Sequence, residues 1–342
     1  MSDPEVPGET VRRASAGAVP TTTSEAELVD GLTEKQHRTA RRRKRLRSYG
    51  PLIATLPAIL FVLAFLAYPI GYGFYMSLLD IDMFNFTDRE FVGAANYLEL
   101  FGRSDFQNAF IRTMMYVVGV VVIGMVMSMG FALTLQYAPS WARPLRAISL
   151  IPYFISSVAV AMIWKFFVQG EGGFSTFAMG VVGLEPVTWL GDPNRAMVVI
   201  VLATAWSVAP LSVLLLLSGL QIVNTEMYDA AAVDGAGPFQ KFIYITVPSL
   251  KPQFSVTMIW LTFAAFNSFG LIITMTGGGP GRSTEVLSLF MYNLGLRSLD
   301  YSSASAVMIM LLLLNTGFSL VYLKVLPQEE PEPSVRRDGG SA

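Results

Sequence analysis

A chain of 342 residues that is 53% hydrophobic and 14% charged, with a mean hydropathy of +0.50, is too apolar for a soluble domain and long enough to cross a membrane several times. It has no cysteine, which excludes disulfides, thiol catalysis and thiolate metal sites together. The net charge of -1 identifies no partner, and the single histidine, His37, lies beside basic residues in a polar tail.

Residues 1 to about 36 are rich in Ser, Thr, Ala, Gly, Pro and acids and lack a sustained apolar period, so a disordered tail is expected. Residues 1–48 end in a basic cluster of Arg41, Arg42, Arg43, Lys44, Arg45 and Arg47. Directly before an apolar run, such a cluster acts as a juxtamembrane anchor on lipid headgroups and fixes the N-terminus in the cytoplasm; a nucleic-acid role fits less well.

The first uncharged run, about Leu52 to Leu79, is long enough to span with tilt. The long tail before it and the lack of a small-residue cleavage pattern mark a retained anchor rather than a signal peptide. The segment from Phe91, FVGAANYLELFGRSDFQNAFIRT, mixes aromatics with an amphipathic pattern and is expected at the outer interface. Further uncharged runs at about Thr113 to Tyr137, Ala147 to Trp164 and Ala196 to Val223 predict spans two to four. In span four, Thr204, Trp206, Ser207 and Leu211 fall on one or two adjacent helical faces. Polar and aromatic groups at that depth either line a hydrated solute path or hold helices together, and their spacing leaves both open.

A polar island at 226–252 separates spans four and five. Asp229 to Val233 reads as a short helix whose Ala230, Ala231 and Ala232 give a low-relief face. Gly235 ends it by permitting a positive φ, and Gly237 and Pro238 reinforce the turn. Phe239, Phe242, Ile243 and Ile245 recur at helical spacing and are expected to hold the second half of the island against the membrane-facing body. Pro248 and Pro252 close the island.

Span five, about Gln253 to Met275, carries Asn267 and Ser268, again candidates for either a path or packing. An outer turn, TGGGP at Thr276 to Pro280, leads to an expected interfacial helix over Thr284 to Arg297, and span six covers about Tyr301 to Leu323. The result is an all-α polytopic membrane protein with a six-span domain at 49–326 and a cytoplasmic tail at 327–342. Arg143, Arg146, Lys241, Lys251 and Lys324 fall on the inside, but Arg195, Arg282 and Arg297 fall outside. The N-terminal cluster therefore decides the orientation, with both termini and the island in the cytoplasm.

The island carries a resemblance. Asp229-Ala230-Ala231, three residues, Gly235, nine residues and Ile245-Thr246-Val247-Pro248 resemble the EAA loop of ATP-binding-cassette importer permeases, which reads E-A-A, three residues, G, nine residues, I-x-L-P. Asp replaces Glu and Val replaces Leu, each keeping its class. With YPIGYGFYMSL from Tyr68, the segment from Phe91 and TGGGP, the similarity to carbohydrate permeases of the maltose-transporter type runs from about Pro51 to Leu326. The resemblance implies a type I importer permease fold in a bacterial plasma membrane. Asp229, Ala230, Ala231, Asp234, Gly235, Ile245 and Pro248 would form the element that docks into a separate ATPase. It also implies a second permease, two ATPase copies and an extracytoplasmic sugar-binding protein as partners, and a solute that is an oligosaccharide, disaccharide or polyol phosphate. Thr204, Ser207, Val208 and Leu211 match a sugar-contacting stretch of that family.

No cofactor or metal is expected, and ATP hydrolysis would belong to a partner. Gly277 to Thr284 lacks the phosphate-loop spacing and has Arg where Lys is required. No paired carboxylates or nucleophile–base set suggests an enzyme. The span interiors contain no Asp, Glu, Lys, Arg or His, which weakens an ion-coupled secondary transporter without excluding one, because backbone carbonyls can hold sodium. A membrane scaffold without a solute path is the third reading.

Overall fold

The computed structural model describes residues 55–81, 89–139, 143–170 and 172–326. The N-terminal tail with its basic cluster and the C-terminal tail lie outside them. The chain divides into two compact units, Met1–Pro69 and Ile70–Ala342.

Helix α1, Thr55–Ser77, is long and apolar enough to cross a membrane and contains a π-turn at Leu63–Ala67. Two short strands follow, β1 (Leu79–Ile81) and β2 (Arg89–Phe91), paired antiparallel with Asp80 opposite Glu90. The sequence reading places no strand here. Tertiary partners stabilise the pairing: the Asn96 amide donates to the carbonyls of Ser77 and Leu79, each at 2.9 Å, and the Ile81 N–H donates to the Ser302 hydroxyl at 3.1 Å.

Helix α2 (Ala95–Gly102) is the amphipathic segment expected before span two. Helix α3 (Ser104–Gln136) begins well before Thr113, with Asp105 in its first turn accepting the Phe106 N–H at 2.8 Å, where negative charge complements the helix dipole. The expected third span is not one helix. It is α4 (Arg143–Ile148), α5 (Ile151–Phe154) and α6 (Ser157–Val168). Pro152 has no N–H with which to continue a helix from α4. Ile155 and Ser156 are extended, and the Ser156 hydroxyl caps α6 by accepting the Ala159 N–H at 3.3 Å.

Helix α7 (Phe174–Val181) precedes α8 (Pro193–Leu220), which Asp192 caps by accepting the N–H groups of Asn194 and Arg195, each at 3.0 Å. The island holds α9 (Thr225–Val233), α10 (Pro238–Lys241), a π-turn (Phe242–Thr246) and α11 (Val247–Ser249). Helices α12 (Lys251–Asn267) and α13 (Phe269–Met275) are one apolar unit bent by 46° at Ser268. Helix α14 (Leu287–Tyr292) runs into a π-turn (Asn293–Arg297), and α15 (Tyr301–Val325) ends the described chain. Among the described residues, α1, α3, α8 and α15 are each long and apolar enough to span, and the bent α12–α13 pair makes a fifth. The broken α4–α6 segment stands where the remaining span was expected.

Within the second unit, α3 and α8 form the most extensive helix pair. Lipid is as apolar as leucine, so close packing and interhelical hydrogen bonds hold such pairs together. Gly124 on α3 permits the approach of α12: a Cβ there would lie 2.8 Å from Leu261 Cδ2. The central cluster joins Tyr116, Val120, Ile200, Leu261 and Ile272. A second joins Leu100, Phe106, Leu287, Phe290 and Val307, and a third joins Ala132, Leu216, Leu220 and Leu250. The segment expected as an interfacial helix over Thr284 to Arg297 joins two clusters, with Leu287, Phe290 and Leu294 in the second and Val286 and Leu289 in the central one. Leu287, Leu289 and Phe290 are buried, because α14 packs between α3 and α15.

Candidate coupling loop and solute path

Helix α9 starts four residues before Asp229, at Thr225, where the Asn224 side chain accepts the Glu226 N–H at 2.9 Å. It ends in a Schellman turn. The Ala236 N–H donates to the Ala231 carbonyl at 2.8 Å, the Gly235 N–H donates to the Ala232 carbonyl at 3.1 Å, and Gly235 has φ +78°. An L side chain resists that backbone conformation, so the glycine sets where the helix stops. Gln240 accepts the Gly237 N–H at 2.8 Å and starts α10.

Asp229, Ala230, Asp234, Gly235 and Pro248 are exposed, Ala231 is half-buried and Ile245 is buried. Of the four apolar residues expected to face inward, only Phe242 and Ile245 do so; Phe239 is 73% exposed and Ile243 is also exposed. The π-turn over Phe242–Thr246 inserts a wide turn that shifts the helical phase, so a regular 3.6-residue spacing fails across it. The uncovered side chains of Met227, Val233 (89% exposed), Phe239 and Tyr244 give the loop an apolar outer surface. Its inner side is fixed by Leu250, which is fully buried beside the end of α8. A Cβ on Gly219 would lie 2.6 Å from Leu250 Cδ2.

The candidate path residues separate into different environments. Thr204 is fully buried, and its hydroxyl is 2.8 Å from the Tyr116 hydroxyl of α3. Ser207, half-buried, donates to the Thr204 carbonyl at 2.8 Å. Trp206 meets Trp164 of α6 edge-on at 6.3 Å. Ser207, Leu211, Leu214 and Ser218 follow at helical spacing as a partly exposed stripe along α8. Pro210 lies inside α8 and cannot donate to the Trp206 carbonyl. Beside it, Trp260 Nε1 donates to the Val208 carbonyl at 3.4 Å and Ser128 Oγ to the Ala209 carbonyl at 3.3 Å. A cavity of about 160 Å³ opens here, with Ser149, Pro152, Trp206 and Pro210 among its walls.

On α12, Val256, Trp260, Phe263 and Asn267 share one face, with Val256, Phe263 and Asn267 exposed. Asn267 Nδ2 donates to the Phe263 carbonyl at 2.8 Å, and the Ser268 hydroxyl donates to the Ala264 carbonyl at 2.6 Å. Trp260 is 6.3 Å from Phe263 and 6.1 Å from Tyr153 of α5. Sequence reasoning singled out Asn267 but missed Trp260, Phe263 and Tyr153. The 260, 263, 267 spacing was a legible signal, whereas the contribution of α5 depends on the unforeseen break.

The turn after α13 is tied to α3. Thr276 and Thr284 hydroxyls are 2.7 Å apart, and Gly278 turns the backbone at φ +93°. Glu285, 4% exposed, accepts from Arg282 Nε and from Asn293 Nδ2, the latter at 2.6 Å. That carboxylate raises the Arg282 guanidinium further above its ordinary pKa. Asn108 donates to the Arg282 carbonyl at 3.2 Å, and Thr113 Oγ1 accepts the Leu287 N–H at 2.7 Å.

Residues 113–328 match the family described as binding-protein-dependent transport system inner membrane component. The chain is 36% identical over 273 residues to the trehalose/maltose transport system permease protein of Thermococcus litoralis, covering 79% of this chain and 91% of that protein. It is 29% identical over 285 residues to the sn-glycerol-3-phosphate transport system permease protein of Pectobacterium atrosepticum, covering 82% and 95%. A subunit of a bacterial ABC transporter involved in import of the acidic polysaccharide alginate shares the fold, with a TM-score of 0.69 at 24% identity, over 83% of this chain and 98% of that one.

Proposed function

The chain belongs to the family of binding-protein-dependent transport system inner membrane components, and from that membership we propose that its solute is a carbohydrate or polyol phosphate. As a multi-pass permease subunit of an ABC importer, it works with a solute-binding protein. In the proposed assembly it supplies half of the path beside a second permease, two ATPase copies drive it, and both termini and the 226–252 loop face the cytoplasm. The 1–48 and 327–342 segments are its cytoplasmic tails.

The apolar outer surface of the island carries the coupling assignment. Met227, Val233 and Phe239 are uncovered on a loop outside the apolar spans, where such residues mark a docking surface. Asp229, Ala230, Ala231, Asp234 and Gly235 would form the docked helix end, and Ile245 and Pro248 the return toward α12. Closure of the ATPase pair would displace α9 and rock α8 and α12, opening the path alternately to each side. The exposed aromatic and amide face of α12, with Trp206, Ser207 and Leu211 of α8, suits a sugar: ring faces stack on its C–H surface and amide or hydroxyl groups meet its hydroxyls.

Affinity purification of the full chain from gently solubilised native membranes tests the assembly. An ATPase and a second permease should accompany the natural chain, and the ATPase should be lost when Asp229 to Gly237 is deleted. A chain that comes down alone would move the assignment to an ion-coupled carrier. Uptake of labelled trehalose, maltose and sn-glycerol 3-phosphate into sealed vesicles tests the solute class, and an importer that moves none of the three overturns it.

A further inference from the structure

The Tyr228 and Thr246 hydroxyls are 2.9 Å apart across the island. Thr246 is 4% exposed, and its Oγ1 also donates to the Lys241 carbonyl at 3.4 Å. A hydroxyl has one hydrogen to give, so Tyr228 donates to Thr246 and Thr246 to Lys241, a directed chain. Tyr228 belongs to α9, which has no buried residue and no extensive packing against another element among the described residues. Thr246 ends the π-turn, and its carbonyl accepts the Leu250 N–H at 3.1 Å. Leu250 is fully buried and immediately precedes α12. The covalent route between α9 and α12 passes through Gly235, Gly237 and Pro238, a turn able to absorb a displacement without passing it on.

We infer that the Tyr228–Thr246 hydrogen bond is the strut through which movement of α9 reaches α12, making both positioning residues for coupling. This rests on the importer reading. The strut spans the glycine turn and gives a weakly packed helix an attachment to the buried start of α12.

The natural chain has no cysteine, so a single Val256→Cys on the exposed face of α12 can report movement through its reaction with a water-soluble maleimide. The complex is purified whole, and labelling is compared without nucleotide and after trapping with ATP and vanadate. Tyr228→Phe and Thr246→Val should each shrink the nucleotide-dependent change about two- to tenfold, the scale of one hydrogen bond. The double variant should be no worse than either single, and Thr246→Ser should restore the response. ATPase content and hydrolysis should stay at the natural level, which a general structural defect would not allow. A full response in either single variant, no rescue by serine, or loss of the ATPase from Tyr228→Phe overturns the strut. If the unaltered chain carries no ATPase and shows no nucleotide-dependent change, the importer reading fails and the strut with it. A natural response that persists in the variants removes the strut alone.

Discussion

Tyr116 on α3 and Thr204 on α8 join their hydroxyls at 2.8 Å, and both side chains are buried. The bond lies in the most extensive helix pair of the second unit and occupies the Thr204 hydroxyl with a protein partner. Tyr116→Phe strands the Thr204 hydroxyl in an apolar core, at a cost of about 1–3 kcal/mol, whereas Thr204→Val leaves the Tyr116 hydroxyl with Ser268 as a second partner. Tyr116→Phe should lower the unfolding temperature in detergent more than Thr204→Val does, and adding Thr204→Val to Tyr116→Phe should recover part of the loss because the orphaned hydroxyl is removed. Unchanged unfolding in both singles would remove the packing role and return Thr204 to the solute path.

Gly235 tests the turn. Its φ is +78°, and a Cβ there would meet nothing within 4 Å, so a substitution acts through backbone strain alone. Valine should be strained by about 1–2 kcal/mol, whereas asparagine tolerates this region. Gly235→Val should keep membrane insertion and uncouple ATP hydrolysis from uptake, while Gly235→Asn stays near the natural ratio. The check is uptake per ATP hydrolysed in proteoliposomes. Equal ratios for valine and the natural chain would show that the turn does not set coupling.

Much of this was legible in the chain itself because charge is rare between residues 113 and 323 and the apolar runs stand out. The end of α9 was legible too, since a glycine after three alanines has a single low-cost use there. What periodicity could not show were departures from regular helix. Pro152 and Ser156 break the expected third span through local caps that a hydropathy window averages away. The π-turn at Phe242–Thr246 shifts the helical phase and leaves Ile243 outward, and no residue type announces such a turn. The strand pairing after α1 depends on Asn96 and Ser302, the latter 221 residues from Ile81, a contact only the tertiary fold supplies. The same limit applies to Thr204: spacing gave its face, but not its partner.

Glu285 is almost fully buried, while its partner Arg282 is half exposed. The two are therefore unequal under mutation. Among the described residues, Arg282→Ala leaves a buried carboxylate held by Asn293 alone, a costly loss of its charge partner. Glu285→Gln removes the charge and keeps an acceptor for Asn293. Arg282→Ala should thus destabilise the turn after α13 more than Glu285→Gln, seen as faster proteolysis between Thr276 and Leu287. Equal cleavage of the two would mean that the ion pair does not hold the turn.

Asn267 sits at the last position of α12, where the bend to α13 begins. Its Nδ2 is engaged by the Phe263 carbonyl; its Oδ1 is left as an acceptor facing the exposed side of the helix that carries Phe263 and Trp260. A sugar hydroxyl donating to that oxygen would be worth about 0.5–1.5 kcal/mol, or roughly a two- to tenfold change in uptake. Asn267→Ala should therefore slow uptake of whichever probe sugar the natural chain moves, with unfolding temperature and ATPase copurification unchanged. Asn267→Asp keeps an acceptor oxygen and should retain more uptake than alanine. If the oxygen faces the second permease instead, alanine would weaken recovery of that subunit and leave the apparent affinity for sugar alone. The two measurements together decide whether this face of α12 binds solute or partner.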